Sequence, residues 1–139
     1  MTAEWMPTGP EPEAVPAGRW WDAVRAPLVH AWTVPARLVE YAPAIVTRRP
    51  ATLTWLVPCG SVEPGALPPG VELLTGGAEV EIPPERAVRT IFRAPPPLHW
   101  TLPPGRGEQC AVIDPPDALL AALRTAIPTD RREARRRGC

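Results

Sequence analysis

The chain has 139 residues, a length typical of a single domain, and its 45% apolar content excludes disorder throughout. Its 22 prolines and 10 glycines exclude long helices and coiled coils, because proline interrupts regular backbone hydrogen bonding. The 15 basic residues, all of them arginine, balance 15 acidic residues, so the net charge is zero. We therefore predict short elements that are often interrupted.

Composition divides the chain into three segments. Residues 1–17 are acidic and rich in proline, which predicts a poorly ordered arm. Residues 18–128 are predicted to form one domain, and residues 129–139 an Arg-rich tail. Six arginines but only two acidic residues lie within residues 124–139, so the neutral chain divides into an acidic body and a basic tail.

Cysteine usage and hydropathy bear on the compartment. The three cysteines are odd in number and far apart, which favours free thiols over a disulfide framework. No apolar run approaches the roughly 18 residues that cross a bilayer, and the N-terminus lacks the pattern of a secretory signal. We expect a cytoplasmic protein without membrane contact.

The first elements follow the arm. Residues 19–26 fit either a strand, by alternation, or a helix, by the spacing of Trp20 and Val24. Pro27 favours the strand, because it pushes the preceding residue toward extended geometry. A helix is predicted over residues 27–41, kinked or broken at Pro35.

Two hairpins and a last strand come next. Residues 44–47 and 52–57 flank an Arg-Arg-Pro turn, and residues 71–74 and 78–82 flank a Thr-Gly-Gly turn. Alternation places Glu79 and Glu81 on a solvent-facing side of their strand. The last strand covers residues 98–102, with His99 on its solvent-facing side.

The clearest helix is the final one. Asp114 is its predicted N-cap, Pro115 its first residue, and Pro128 ends it. These elements predict an α+β fold: a mostly antiparallel sheet of about five to six short strands, two main helices, Pro-rich loops and disordered termini.

Candidate chemistry is sparse. Glu79 and Glu81 lie at i, i+2, a spacing that can hold a divalent ion, with His99 as a third ligand, although a solvated strand face has the same pattern. There is no Walker A, G-x-G-x-x-G or G-x-S-x-G motif in the sequence. We therefore expect no catalytic residue and no cofactor.

Two surfaces are candidates for partner binding. Trp20 and Trp21 are adjacent, so in a strand their side chains lie on opposite faces. Both faces of that strand must then be covered, and we expect an interface there. The tail could contact nucleic acid or an acidic protein surface, although such a run is more often a solvated terminus. Its arginines are Arg131, Arg132, Arg135, Arg136 and Arg137.

Five segments of the chain resemble, in sequence and order, a family of small, uncharacterised actinobacterial proteins. The segments are GRWWDAVRAP, TWLVPCG, GVELLTGGAEVEIPP, LHWTLPP and IDPPDALLAALR. Within the region that they span, TLTWLVPCG through LHW is similar to the later half of the primase-polymerase domain of bifunctional replication proteins. That domain catalyses with an acidic pair and a histidine on earlier strands, where this chain has neither. The resemblance implies a truncated, catalytically degenerate relative.

Two functions follow as hypotheses. The first is a non-catalytic intracellular binding or regulatory module that acts through protein–protein interaction or self-association. The second is a degenerate primase-polymerase-like domain that binds nucleotide or nucleic acid, with a residual metal or phosphate site at Glu79 and Glu81.

Overall fold

A computed structural model of the protein describes residues 3–37, 42–88, 95–105 and 111–127. These residues form seven strands, three α-helices and one short 3-10 helix (Pro64–Ala66), which confirms the predicted α+β class. The strands are β1 (Glu13–Pro16), β2 (Asp22–Pro27), β3 (Ile45–Arg48), β4 (Ala51–Val57), β5 (Glu72–Leu74), β6 (Glu79–Ile82) and β7 (Leu98–Trp100). The helices are α1 (Leu28–Ala31), α2 (Val34–Arg37) and α3 (Asp117–Ala126).

The larger sheet has five antiparallel strands in the order β5-β2-β4-β3-β7. Strand β4 lies at its centre, and five of its seven residues are buried. Its side chains alternate between the two faces of the sheet. Trp55 and its neighbours Leu53 and Val57 point to one face, and Thr54 and Leu56 to the other.

The helices cover the first of these faces. Leu119 and Leu123 of α3 pack with Trp55 and with Val34 of α2, and all four side chains are fully buried. Burial of each such side chain stabilises the fold by about 1.5–3 kcal/mol relative to exposure. Leu119 and Leu123 therefore hold α3 and α2 against the sheet.

A second, two-stranded sheet of β1 and β6 packs on the opposite face. Val15 and Val80 from this sheet join Trp21, Leu56 and Trp100 in a second buried cluster. Residues 3–17 therefore do not form the poorly ordered arm that their composition predicts. Five of their apolar residues are buried in this cluster, and this burial outweighs the polar average of the segment: Ala3, Trp5, Met6, Val15 and Ala17.

The second predicted hairpin is wrong in its pairing. Strands β5 and β6 are consecutive and lie where the sequence places them, but β5 pairs with β2 and β6 pairs with β1. The chain leaves the larger sheet at Gly76 and Gly77, which both have positive φ, and enters the smaller one. Glycine makes this change of direction possible because it adopts positive φ without steric cost.

Three smaller differences concern the ends of elements. Over the described residues 27–37, the helix predicted to reach residue 41 is two single turns, α1 and α2, in keeping with the break expected near Pro35, and residues 38–41 lie outside the described residues. Helix α3 begins at Asp117 with Pro116 in the capping position, so Asp114 is not its N-cap. Strand β7 ends at Trp100, and Leu102 is 44% exposed.

Residues 19–26 lie mostly in strand β2, so the strand alternative is confirmed over the helix. Within the described ranges, no helix combines the length and the apolar character that a bilayer-spanning segment needs.

Candidate functional site

A groove of about 260 Å³ lies between the two sheets. Its floor belongs to the larger sheet and its rim to β6. Three consecutive rim residues contribute, Glu79, Val80 and Glu81, and no residue of β1 does. The groove therefore runs along the side of β6 that β1 leaves free.

The floor is polar because of the strand register. Arg25 of β2 pairs with Thr54 of β4, and in the next row Thr52 of β4 pairs with Thr47 of β3. Paired residues share a face, so these side chains form one polar patch, which ends at the buried Ile45 that pairs with Thr54 on β3. The neighbouring row on the same face, Ala23 and Leu56, is apolar and is buried in the second core cluster.

The floor contains one buried donor without an acceptor, the Nε of Arg25. Thr54, which pairs with Arg25 across β2 and β4, is 2% exposed. The indole nitrogens of Trp21 and Trp55 are also buried without an acceptor, but both side chains belong to the core clusters rather than to the groove. An unsatisfied buried donor costs about 1–3 kcal/mol, so folded proteins seldom retain one without a reason.

The other charged groups stand at the edges of the groove. Arg49, in the turn between β3 and β4, is exposed, as are Glu79 and Glu81 on β6. Among the described residues, neither Arg25 nor Arg49 forms an ion pair with these glutamates. Both guanidinium groups are thus available to a ligand.

This arrangement suits an oxyanion. A guanidinium presents several N–H donors in a planar fork that matches a carboxylate or a phosphate, and threonine hydroxyls add further donors. The partly buried floor strengthens such contacts, because the effective dielectric constant there is lower than in water. The two glutamates on the rim would favour a positive group next to the anion.

His99 does not join Glu79 and Glu81. It pairs with Val46 across β3 and β7, and Val46 packs against the helix-side core cluster, so His99 occupies the opposite face of the sheet from the groove. It is also buried rather than solvent-facing, with its Nδ1 2.8 Å from the carbonyl oxygen of Pro96. No group of three metal-ligating side chains occurs among the described residues.

The two adjacent tryptophans have different environments. Trp21 has no exposed surface and packs against Trp5, so it cannot contact a partner in the folded state. This is a correction to its expected role at an interface, and the reason is that residues 3–17 cover it. Trp20 is partly exposed, and the guanidinium of Arg19 lies 4.3 Å from the centre of its ring.

The five arginines of the predicted tail contact lie outside the described residues: Arg131, Arg132, Arg135, Arg136 and Arg137. Their contact with nucleic acid or protein stays a prediction.

Asp22, at the start of β2, is a buried carboxylate with a structural role. It is 3% exposed and accepts hydrogen bonds from the backbone N–H of Gly60 at 2.9 Å and the hydroxyl of Thr75 at 2.7 Å. It thereby ties two loops to the larger sheet.

Partial burial and the nearby Asp22 carboxylate raise the pKa of the Cys59 thiol, which makes this exposed cysteine a poor nucleophile at neutral pH.

A larger cavity of about 640 Å³ lies between the N-terminal segment and the loop after β6. Pro7, Pro10, Pro84 and Pro96 form much of its wall, and Arg86 there is exposed. It offers no buried, unpartnered polar group, so the smaller inter-sheet groove is the stronger candidate.

Sequence reasoning missed the residues of the groove floor. The signal was present as Arg25 among the small apolar residues Val24 and Ala26 of β2, and as the threonines that alternate with Leu53 and Trp55 in β4. What the pattern does not reveal is that the small sheet packs directly on one row of this face and leaves a groove at the next row. Comparison of the chain with protein-family models, with curated proteins and with solved structures identifies no match. The resemblance to the primase-polymerase domain stays a prediction.

Proposed function

We propose that this protein is a non-catalytic binding module that captures an oxyanion, a carboxylate or a phosphate, in the inter-sheet groove. The observation that supports this most directly is the Nε of Arg25, a buried donor without an acceptor that lies on the groove floor in a pair with Thr54. A bound oxyanion would accept from this guanidinium and from the threonine hydroxyl, and the adjacent Arg49 would add a second positive charge.

The surroundings of the pair support binding rather than a structural role. If Arg25 served only to hold the fold together, a carboxylate partner would be expected beside it, because partly buried charges are normally paired. Glu72 is its direct neighbour across β5 and β2, but the two form no ion pair. The cytoplasmic setting expected from cysteine usage is part of the proposal, since such a module would meet phosphorylated and acidic ligands there.

Titration of the full chain with inorganic phosphate and, separately, with acetate tests the proposal. We expect changes in the NMR signals of Arg25, Thr54 and Thr47 that saturate with at least one of the two anions. The Thr54→Val variant keeps the shape of the side chain but removes the hydroxyl, and should weaken binding about tenfold. Arg25→Gln should weaken it further.

Arg86→Gln is the matched control, because Arg86 is exposed and lies outside the groove. Its affinity for either anion should equal that of the wild type. Thr54→Val should also be at least as stable as the wild type, because valine has a similar shape and brings no hydroxyl into this buried position. The proposal would be contradicted if neither anion binds. It would also be contradicted if Arg25→Gln and Arg86→Gln reduce anion affinity equally.

A further inference from the structure

The pairing of β6 with β1 determines which backbone N–H and C=O groups of β6 point to its free edge. In the antiparallel pair with β1, Pro16 lies opposite Glu79 and has no N–H to donate. The next pair, Ala17 and Ala78, is joined by a hydrogen bond of 2.8 Å from Ala17 N–H to Ala78 C=O. Hydrogen-bonded and non-hydrogen-bonded pairs alternate along an antiparallel ladder.

This alternation assigns the direction of each peptide group. Val80 and Ile82 exchange their hydrogen bonds with β1, whereas the N–H and C=O groups of Glu79 and Glu81 point to the other side. That side is where the groove lies, because the groove contacts β6 and not β1. Within the described part of the chain, β6 pairs with no other strand along this edge.

We propose that the ligand of the groove is an extended segment of a partner protein with alternating acidic and basic residues, which adds to β6 as a third strand. This inference rests on the proposed function and assigns the source of the oxyanion as a carboxylate side chain. Backbone hydrogen bonds to Glu79 and Glu81 would supply affinity, and side-chain contacts would supply specificity, as in other cases of strand addition.

The groove defines a sequence pattern for this segment. Side chains of an added strand alternate between the two faces of the small sheet. Those that point toward the larger sheet meet Arg25, Thr54 and Thr47, which favour Asp or Glu. Those that point away lie beside the carboxylates of Glu79 and Glu81, which favour Lys or Arg. The segment should therefore alternate acidic and basic residues over about four positions.

A second copy of the chain is a poorer occupant of the same edge. Strand pairing between two copies of β6 would bring Glu79 and Glu81 of each onto one face of a shared sheet. Like charges opposite each other destabilise such a pair, and charged side chains are one way by which edge strands avoid self-association. The same glutamates favour a segment with basic residues at those positions.

Three synthetic peptides and the full-length protein test the inference. The first has four central residues that alternate Glu and Lys between flanking valines. The second has the same composition with the two Glu and the two Lys in blocks. The third is the alternating peptide with N-methyl groups on alternate amides, which keeps its charges but removes the donors on one edge.

Residue-resolved amide exchange by NMR is the main readout. In the free protein, the N–H groups of Glu79 and Glu81 should exchange at least tenfold faster than those of Val80 and Ile82. The alternating peptide should slow exchange at Glu79 and Glu81 and leave Val80 and Ile82 unchanged. The blocked peptide should bind at least fivefold more weakly, and the methylated peptide should give no protection.

A variant of the protein gives an independent check. Glu81→Pro removes an N–H from the free edge while leaving the hydrogen bonds to β1, and Glu81→Gln removes the charge alone. Peptide affinity should fall about fivefold more in Glu81→Pro than in Glu81→Gln, since one backbone hydrogen bond is lost. The peptide series does not depend on how well this variant folds.

The outcomes separate the two proposals. If phosphate or acetate binds but no peptide protects Glu79 and Glu81, strand addition is overturned and the proposed function stands. If neither anion nor peptide binds, both proposals fall. Protection of Glu79 and Glu81 that appears on concentrating the protein alone would assign the edge to a second copy and would also overturn the inference.

Discussion

Trp5 and Trp21 meet edge to face, with ring centroids 5.8 Å apart and planes at 84°. The positive edge of one aromatic ring is attracted to the negative face of the other in this arrangement. Trp5 is 4% exposed and Trp21 fully buried, so the contact lies inside the second core cluster. It joins the N-terminal segment to the larger sheet and makes that segment part of the folded unit.

Trp5→Ala should therefore destabilise the protein, although Trp5 lies in a segment whose composition is typical of disorder. Removal of a buried tryptophan costs about 3–5 kcal/mol, which urea denaturation would measure as a loss in the free energy of unfolding. Trp32→Ala is the matched control, because Trp32 is 67% exposed and its loss should change stability by less than about 0.5 kcal/mol. Equal effects would mean that Trp5 is not packed as described.

Asp22→Ala should loosen two loops at once. It leaves the N–H of Gly60 and the hydroxyl of Thr75 without their acceptor, so we expect a loss of about 1–3 kcal/mol in the free energy of unfolding. Amide exchange at Gly60 should accelerate more than exchange at Leu53 of the central strand. Unchanged exchange at Gly60 would show that the carboxylate does not hold this loop.

The Cys59 thiol should react slowly at neutral pH, because burial and the Asp22 carboxylate raise its pKa. The measurement is the pH dependence of alkylation by iodoacetamide, with Cys110 and Cys139 replaced by serine so that one thiol remains. The midpoint should lie above the ordinary thiol value. In Asp22→Asn it should move down, because the negative charge that disfavours the thiolate is removed. A midpoint that is the same in both proteins would contradict this cause.

Gly18→Ala should be one of the more damaging glycine substitutions. Gly18 has φ of +96°, and a Cβ there would lie 2.8 Å from the backbone nitrogen of Gly76, at the point where the chain passes between the two sheets. We expect a loss of at least about 1 kcal/mol in the free energy of unfolding. Gly9→Ala is the control, since a Cβ at Gly9 meets nothing within 4 Å and should have little effect. Equal stability of the two variants would contradict the close approach.

Several elements could be predicted because their signal is local. The alternation of Leu53, Trp55 and Val57 with threonines identifies β4, and the spacing of Leu119 and Leu123 identifies α3. In both cases one face of an element must be buried, and the periodicity of the apolar residues reports which face it is.

The candidate site could be predicted only in part. The alternation of Glu79 and Glu81 with Val80 indicated a strand with one exposed face, and the burial of Val80 and Ile82 confirms it. Sequence spacing could not show whether His99 joins Glu79 and Glu81 in one site. The face that His99 occupies depends on the strand register that pairs it with Val46. That register is set by distant residues, to which local patterns are insensitive.

By itself, the sequence determined the fold class, the shortness of the elements and the amphipathic pattern of the central strands and of α3, because proline positions and apolar periodicity are local properties. Only the tertiary structure decided that β6 leaves its neighbour β5 to pair with β1, and that residues 3–17 belong to the core. It also decided that Arg25 and Thr54 lie at the groove between the two sheets. These features depend on which distant surfaces meet, and burial against a distant surface is determined by the packing of the whole chain rather than by composition.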